Sequence, residues 1–103
     1  GGEYGGINFF KPEALSQFTQ KQFNNNHRGA GFDKPRNNSN NGPSVNSYGH
    51  YGFTGTMAWN DPDHELIYVI LTNRIHPDVD NRKLQTQKVR ENIQLKLYEA
   101  IVN

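Results

Sequence analysis

The chain has no cysteine among its 103 residues. No disulfide can staple it, and no thiolate can hold a metal ion. Apolar residues are also scarce, at 33%, so the core must be small and the loops many. No hydrophobic run approaches the roughly 18 residues of a membrane-crossing helix. Charge of one sign is missing too: 11 basic residues face 10 acidic ones, for a net charge of +1. That balance gives no electrostatic case for a nucleic-acid partner. His27, His50, His64 and His76 lack the close spacing of metal ligands. The acidic turn of Asp61, Asp63 and Glu65 lacks the oxygen ligands and the glycine of a calcium loop. No metal or cofactor is expected. A chain this short makes one domain, residues 1–103, burying about two-thirds of its unfolded surface.

What is present centres on residues 48–59, Tyr-Gly-His-Tyr-Gly-Phe-Thr-Gly-Thr-Met-Ala-Trp. Gly49, Gly52 and Gly55 recur at every third position, with aromatic and Thr residues between them. Glycine weakens a strand, so three of them in a strand-like run mark a hairpin, a bulge or a place where another group approaches the backbone.

Ahead of this run, Gly1-Gly2-Glu3-Tyr4-Gly5-Gly6 carries no initiator Met and reads as a turn in mid-protein. Residues 7–10 form a brief extended segment. Pro12 and Glu13 suit the first turn of a helix, and Leu15, Phe18 and Phe23 line one face of it from residue 12 to about 22. Residues 28–33 read as a short strand. Residues 34–47 hold two prolines, five asparagines, three serines and one glycine, and so predict a long, mobile loop. Within it, Ser44-Val45-Asn46 is a surface turn, since these residue types favour loops.

The sheet is expected at residues 48–53, 56–59 and 66–73. Asp61-Pro62-Asp63-His64 turns the chain between the last two. Residues 66–71 are almost continuously apolar, as in a strand covered on both faces. Asp80 or Asn81 caps a final helix. Val89, Ile93, Leu97, Ala100 and Ile101 form the stripe it lays on the sheet. Lys83, Lys88, Arg90, Glu91 and Lys96 take its wetter sides. These elements make an α+β chain: an antiparallel sheet of three to four strands, a packed C-terminal helix and a short N-terminal one.

The order of motifs resembles the C-terminal part of the serine β-lactamase-like hydrolases, which include class C β-lactamases, D-Ala-D-Ala carboxypeptidases and related esterases. Their third active-site motif, Lys-Thr-Gly or His-Thr-Gly, lies on an inner strand beside the nucleophilic serine. Here it reads His50-Tyr51-Gly52, followed by Gly55, Asn60-Asp61-Pro62, residues 66–71, Thr72-Asn73-Arg74 and His76-Pro77. The likeness is strongest over residues 48–77. It also touches the helix start at Phe10-Lys11-Pro12-Glu13-Ala14-Leu15, with Ala14 where Thr is usual, and the Arg28-Gly29-Ala30-Gly31-Phe32 segment.

The resemblance implies a fragment of the β-lactamase/transpeptidase-like fold, with catalytic roles for His50, Gly52 and Phe53. The Phe53 N–H would be one of two oxyanion donors, and His50 would stand for the family's Lys or His. Tyr51 and Gly55 would meet the substrate. Tyr51 departs from the usual Thr, whose small hydroxyl meets the substrate carboxylate, and so points away from β-lactam recognition towards an ester- or peptide-like substrate, or towards an active site that has decayed. Acyl transfer in this family also needs a Ser-x-x-Lys, so that the amine can take the hydroxyl proton. No Ser or Thr of this chain has a Lys three residues on, and no Tyr-x-Asn element is present. The expected function is therefore the C-terminal portion of a serine hydrolase of esters, amides or β-lactams, inactive alone. Its implied partners are the remainder of the parent chain and a small acyl substrate, in a periplasmic or secreted setting. The alternative is a non-catalytic interaction or carbohydrate-binding domain, and a Ser-x-x-Lys in upstream sequence would separate the two.

Overall fold

The computed structural model describes residues 1–36 and 41–101. A small hairpin opens the chain: β1 (Glu3–Tyr4) pairs antiparallel with β2 (Ile7–Asn8). Gly5 and Gly6 make its turn with φ of 59° and 77°, a region where only glycine sits without strain. Helix α1 (Pro12–Thr19) begins on Pro12 as expected but stops three residues short of residue 22. At its end the Gln20 N–H donates to the Ser16 carbonyl (2.9 Å).

The main sheet is antiparallel in the order β3-β4-β5, with β3 at Tyr48–Tyr51, β4 at Met57–Asp61 and β5 at Leu66–Ile70. Register sets Gly49 opposite Trp59 and Trp59 opposite Tyr68. The reason for Gly49 is plain. A Cβ there would overlap the Trp59 indole and the Ala58 carbonyl. A 3-10 turn at Pro62–His64 joins β4 to β5.

The expected strand at residues 28–33 is instead a tight turn. Arg28 bridges to Asp33, and only Asp33 reaches the sheet, opposite Gly49. The expected final helix comes in two pieces, α2 (Lys83–Thr86) and α3 (Val89–Ile101), with Lys88 between them at φ 50°. The N-cap position falls to Arg82 rather than Asp80 or Asn81, and no side chain caps there; one residue earlier, Asn81 Oδ1 accepts from the Lys83 N–H at 3.0 Å.

The core is Met57, Trp59 and Tyr68 from one sheet face and Tyr98 from α3, with Tyr51, Leu66, Ile70 and Leu97 packed around them. This corrects the expected helix stripe. Ile93, Ala100 and Ile101 are exposed, while Arg90, Gln94, Leu97 and Tyr98 turn inward. Gln94 Nε2 donates to the Tyr68 hydroxyl. The other face of the sheet is bare among the described residues. Ile67, Val69 and Leu71 are 74%, 60% and 79% exposed, so β5 is covered on one face only. A continuous apolar run does not distinguish a face already covered from one still to be covered.

Asp61 is fully buried and gathers five hydrogen bonds. Ser44 Oγ and N–H donate to it at 2.6 and 2.8 Å. The Tyr98 hydroxyl donates at 2.6 Å, the Asp63 N–H at 3.2 Å, and His64 Nδ1 lies 2.9 Å away. Asn37, Asn38, Ser39 and Asn40, within the stretch expected to be mobile, lie outside the described residues. The rest of that stretch is anchored rather than loose: Lys34, Gly42 and Ser47 are buried, and Ser47 Oγ donates to the Ser44 carbonyl at 2.7 Å.

Burial alone would push the Asp61 carboxyl up, but the hydrogen bonds, led by those from Ser44, outweigh it and hold the pKa at about 2 against an ordinary 3.8. The unfolded chain therefore takes the proton first as pH falls. A contribution of about 2 kcal/mol is present above pH ~4 and lost on the way down to pH ~2. Thermal melts followed by circular dichroism between pH 5 and 2 should show a steep fall for the native chain. The Asp61→Asn variant should start lower and fall less. Parallel curves would remove Asp61 from the account.

Candidate functional site

Strand β3 separates the expected site residues by pleat alternation. His50 is exposed on the bare face, opposite Ala58, which in turn faces Val69. Tyr51 points the other way. Its ring lies 5.9 Å from the Trp59 ring and 4.7 Å from the Arg90 guanidinium carbon. Half-buried there, the Tyr51 phenol is pushed up by desolvation first and by Glu91 next. His50 and Tyr51 are therefore not brought together.

Gly52 ends the strand. Its N–H donates to the Thr56 carbonyl at 2.8 Å, and its carbonyl accepts from the Gly55 N–H at 3.0 Å. Phe53 sits at the tip, 69% exposed, with the Arg74 guanidinium 4.8 Å from its ring centroid. Gly55, expected at the substrate, is buried in the turn at φ 92°. A Cβ on it would overlap Thr72 Oγ1 and crowd Leu84. The structure thus gives Gly55 a turn and a close approach as reasons for being glycine.

The outer edge of β3 is the open one. Gly49 exchanges both backbone bonds with Asp33, N–H to carbonyl at 3.0 Å and the reverse at 2.8 Å. Antiparallel alternation then turns the Tyr51 N–H and carbonyl to the same edge. Among the described residues, neither these groups nor the Phe53 N–H has a backbone partner across that edge. An acyl compound laid along the edge would find donors and an acceptor in register, with His50 on the adjoining face. Burial of a substrate there would require cover from outside the described chain, since His50 and Phe53 are both exposed.

Sequence reasoning missed the groups that hold this hairpin in place. Thr72 Oγ1 and the Arg74 N–H both donate to the Thr54 carbonyl, at 2.9 and 3.0 Å. Arg90 Nη1 reaches the Gly55 and Thr56 carbonyls at 3.4 Å each. The order Thr72-Asn73-Arg74 is part of the family likeness, but its role as a clamp needs the fold. Arg90 carried no signal at all; a charged residue on a helix reads as solvated. Among the described residues, no three His, Asp or Glu side chains stand where they could hold a metal ion. No helix of the described residues is long and apolar enough to cross a membrane.

An antiparallel sheet, a helix on one face and a glycine-rich edge hairpin define the class, an α+β chain. The family model described as Beta-lactamase matches residues 5–91, and the chain belongs to that family. Similar relatives include a protein of Salmonella gallinarum named "Putative D-alanyl-D-alanine carboxypeptidase", 36% identical over 90 residues. Proteins of Salmonella paratyphi B and Salmonella newport carrying the same name are 34% identical. Each alignment covers 82% of this chain and 21% of the relative. The chain thus spans about a fifth of the length of the curated relatives it matches. No solved structure matches it.

Gly52 can be tested directly. A Cβ at this position would overlap Thr56 Oγ1, so the bare Cα makes room for Thr56 across the hairpin. Gly52→Ala should cost about 1–3 kcal/mol by overpacking. In a Thr56→Ala background the same change should cost less than half as much, a coupling that urea melts of the four proteins would measure. Equal costs in both backgrounds would show that Gly52 is needed for something other than this contact.

Proposed function

We propose that this chain is the C-terminal portion of a larger serine hydrolase that cleaves an ester, amide or β-lactam through an acyl-serine. In this reading the nucleophilic Ser-x-x-Lys stands on the remainder of the parent chain. The reading is supported above all by the unpartnered outer edge of β3, where the Phe53 N–H has no backbone partner among the described residues. Attack on a carbonyl puts negative charge on its oxygen in the tetrahedral transition state. The Phe53 N–H would donate to that oxygen, and one such donor is worth about 3–4 kcal/mol. Because the donor is backbone, the side chain at 53 is free to stack under Arg74, while Gly52 keeps the hairpin closed by making room for Thr56.

His50 would lend a donor or a positive charge beside the nucleophile from the bare face. Tyr51 has a different part. Packed beneath Arg90 on the other face, it offers the site no hydroxyl, which favours an ester- or peptide-like substrate over a β-lactam carboxylate. The bare apolar face of Ile67, Val69 and Leu71, and the exposed Phe9, Phe10, Phe18 and Phe23, fit cover by the rest of the parent. By family likeness that parent works in the periplasm or outside the cell.

The isolated chain should turn over neither nitrocefin nor p-nitrophenyl acetate above a heat-treated control. Stoichiometric acylation of one of its serines by a fluorophosphonate, seen by mass spectrometry, would overturn the division of labour. In the full-length parent, His50→Ala should lower the acylation rate 10- to 100-fold with little change in Tm, in the range of a lost catalytic donor. Unchanged acylation in a folded variant would favour a non-catalytic interaction or carbohydrate-binding role.

A further inference from the structure

Lys34 is 7% exposed. Its backbone is fixed by an N–H that donates to the His27 carbonyl at 2.9 Å, and its Nζ lies 5.9 Å from the centroid of the Tyr48 ring. Among the described residues that amine has neither an ion-pair nor a hydrogen-bond partner; the lysine amines that find an oxygen are those of Lys21 and Lys96. Nor is it one of the unpartnered donors sealed from solvent, which are Trp59 Nε1 and Arg90 Nε. Lys34 lines a cleft of about 340 Å³ between α1 and the paired residues Tyr48 and Asn60. A lysine is almost never buried this far without a partner. The amine calls for one.

That partner is not an anion. Asp61 and Asp63 already set negative charge near Lys34 and would repel a carboxylate or a phosphate. We infer that Lys34 is a covalent capture site for a small hydroxyaldehyde, held as a Schiff base in this cleft. The Nζ lone pair attacks the carbonyl carbon, and a proton passes from nitrogen to the carbonyl oxygen. The carbinolamine so formed loses water as the C=N bond forms. Burial is the larger influence on the amine and lowers its pKa, while the two aspartates raise it in part. More of the amine than usual therefore stands as nucleophilic free base. The same aspartates favour the protonated iminium, which keeps the positive charge on that nitrogen. The hydroxyls of Ser16 and Tyr48 and the amides of Gln20 and Asn60 also line the cleft, and they match a hydroxylated chain better than an alkyl one. The site needs nothing from the acyl-transfer reading.

Cyanoborohydride reduces an imine to a stable secondary amine, which peptide mass spectrometry can place on one lysine. With glyceraldehyde as the probe, Lys34 should be marked about tenfold faster than Lys11, Lys21, Lys83, Lys88 or Lys96, all of them exposed. Unfolding the chain in urea should remove that preference. Propanal has the same number of carbons and no hydroxyl; relative to the exposed lysines, it should mark Lys34 at most about a fifth as fast. Ser16 is exposed on α1, so Ser16→Leu narrows the cleft and leaves the core intact. It should slow the marking of Lys34 about fivefold and leave the exposed lysines unchanged. The proposal fails if Lys34 is marked no faster than the exposed lysines, if its preference survives in urea, or if propanal matches glyceraldehyde. A folded Ser16→Leu chain marked at the native rate would overturn it too, because the reactive amine would then lie outside this cleft.

Discussion

The buried carboxylate of Asp61 is the point on which the rest of the structure depends. It ends β4, accepts from Ser44 in the preceding loop, meets His64 in the following turn and holds Tyr98 of α3. An ionised group out of water is tolerated only when its lone pairs are occupied, and here donors from three separate parts of the chain occupy them. Lys34, itself buried, adds opposite charge at longer range: burial lowers its pKa, while Asp61 and Asp63 raise it. With so little apolar residue to spend, the fold uses one polar hub where a larger domain would use several aliphatic layers. The core of Met57, Trp59, Tyr68 and Tyr98 is built around that hub, with the Tyr98 ring edge-on to those of His64 and Tyr68.

The three strands of the main sheet, the first helix start and the family were legible because each rests on local pattern. Pro12 announces a helix, and the glycine spacing at residues 49–55 marks an edge hairpin. What was not legible rests on contacts between distant residues. Asp61 reads as one more turn acid beside Pro62, and nothing local says that it is buried. Tyr98 lies outside the aliphatic stripe, so periodicity chose Ile93 and Ile101, which face outward instead. Arg90 was placed on the wet side because a guanidinium usually is; over Tyr51 it keeps its charge against an aromatic face. The candidate site shows the same division. His50 and the β3 edge follow from the motif, whereas the burial of Gly55 and the inward turn of Tyr51 follow from packing.

The two faces of this thin sheet therefore differ. On one side lie His50 and a bare aliphatic surface, beside an open strand edge. On the other lie Tyr51 and Trp59 beneath α3. The three glycines of the hairpin have three different reasons: Gly49 makes space for an indole, Gly52 for Thr56, and Gly55 for Thr72 and Leu84. A sequence spacing of three looks like one motif, but it is three separate steric solutions along a single ribbon.

The locks on this ribbon come from far along the chain. Tyr98 reaches Asp61 across 37 positions, and Arg90 reaches Gly55 across 35. Contacts of such separation close only after the intervening loop has been ordered. During synthesis on the ribosome, β3, β4 and β5 emerge before α3 is free to pack on them. Until then Trp59 and Tyr68 lack their cover and Asp61 lacks one of its donors. The nascent sheet would spend that interval as an apolar ribbon exposed on both faces, the period in which a holding chaperone would have the most to bind.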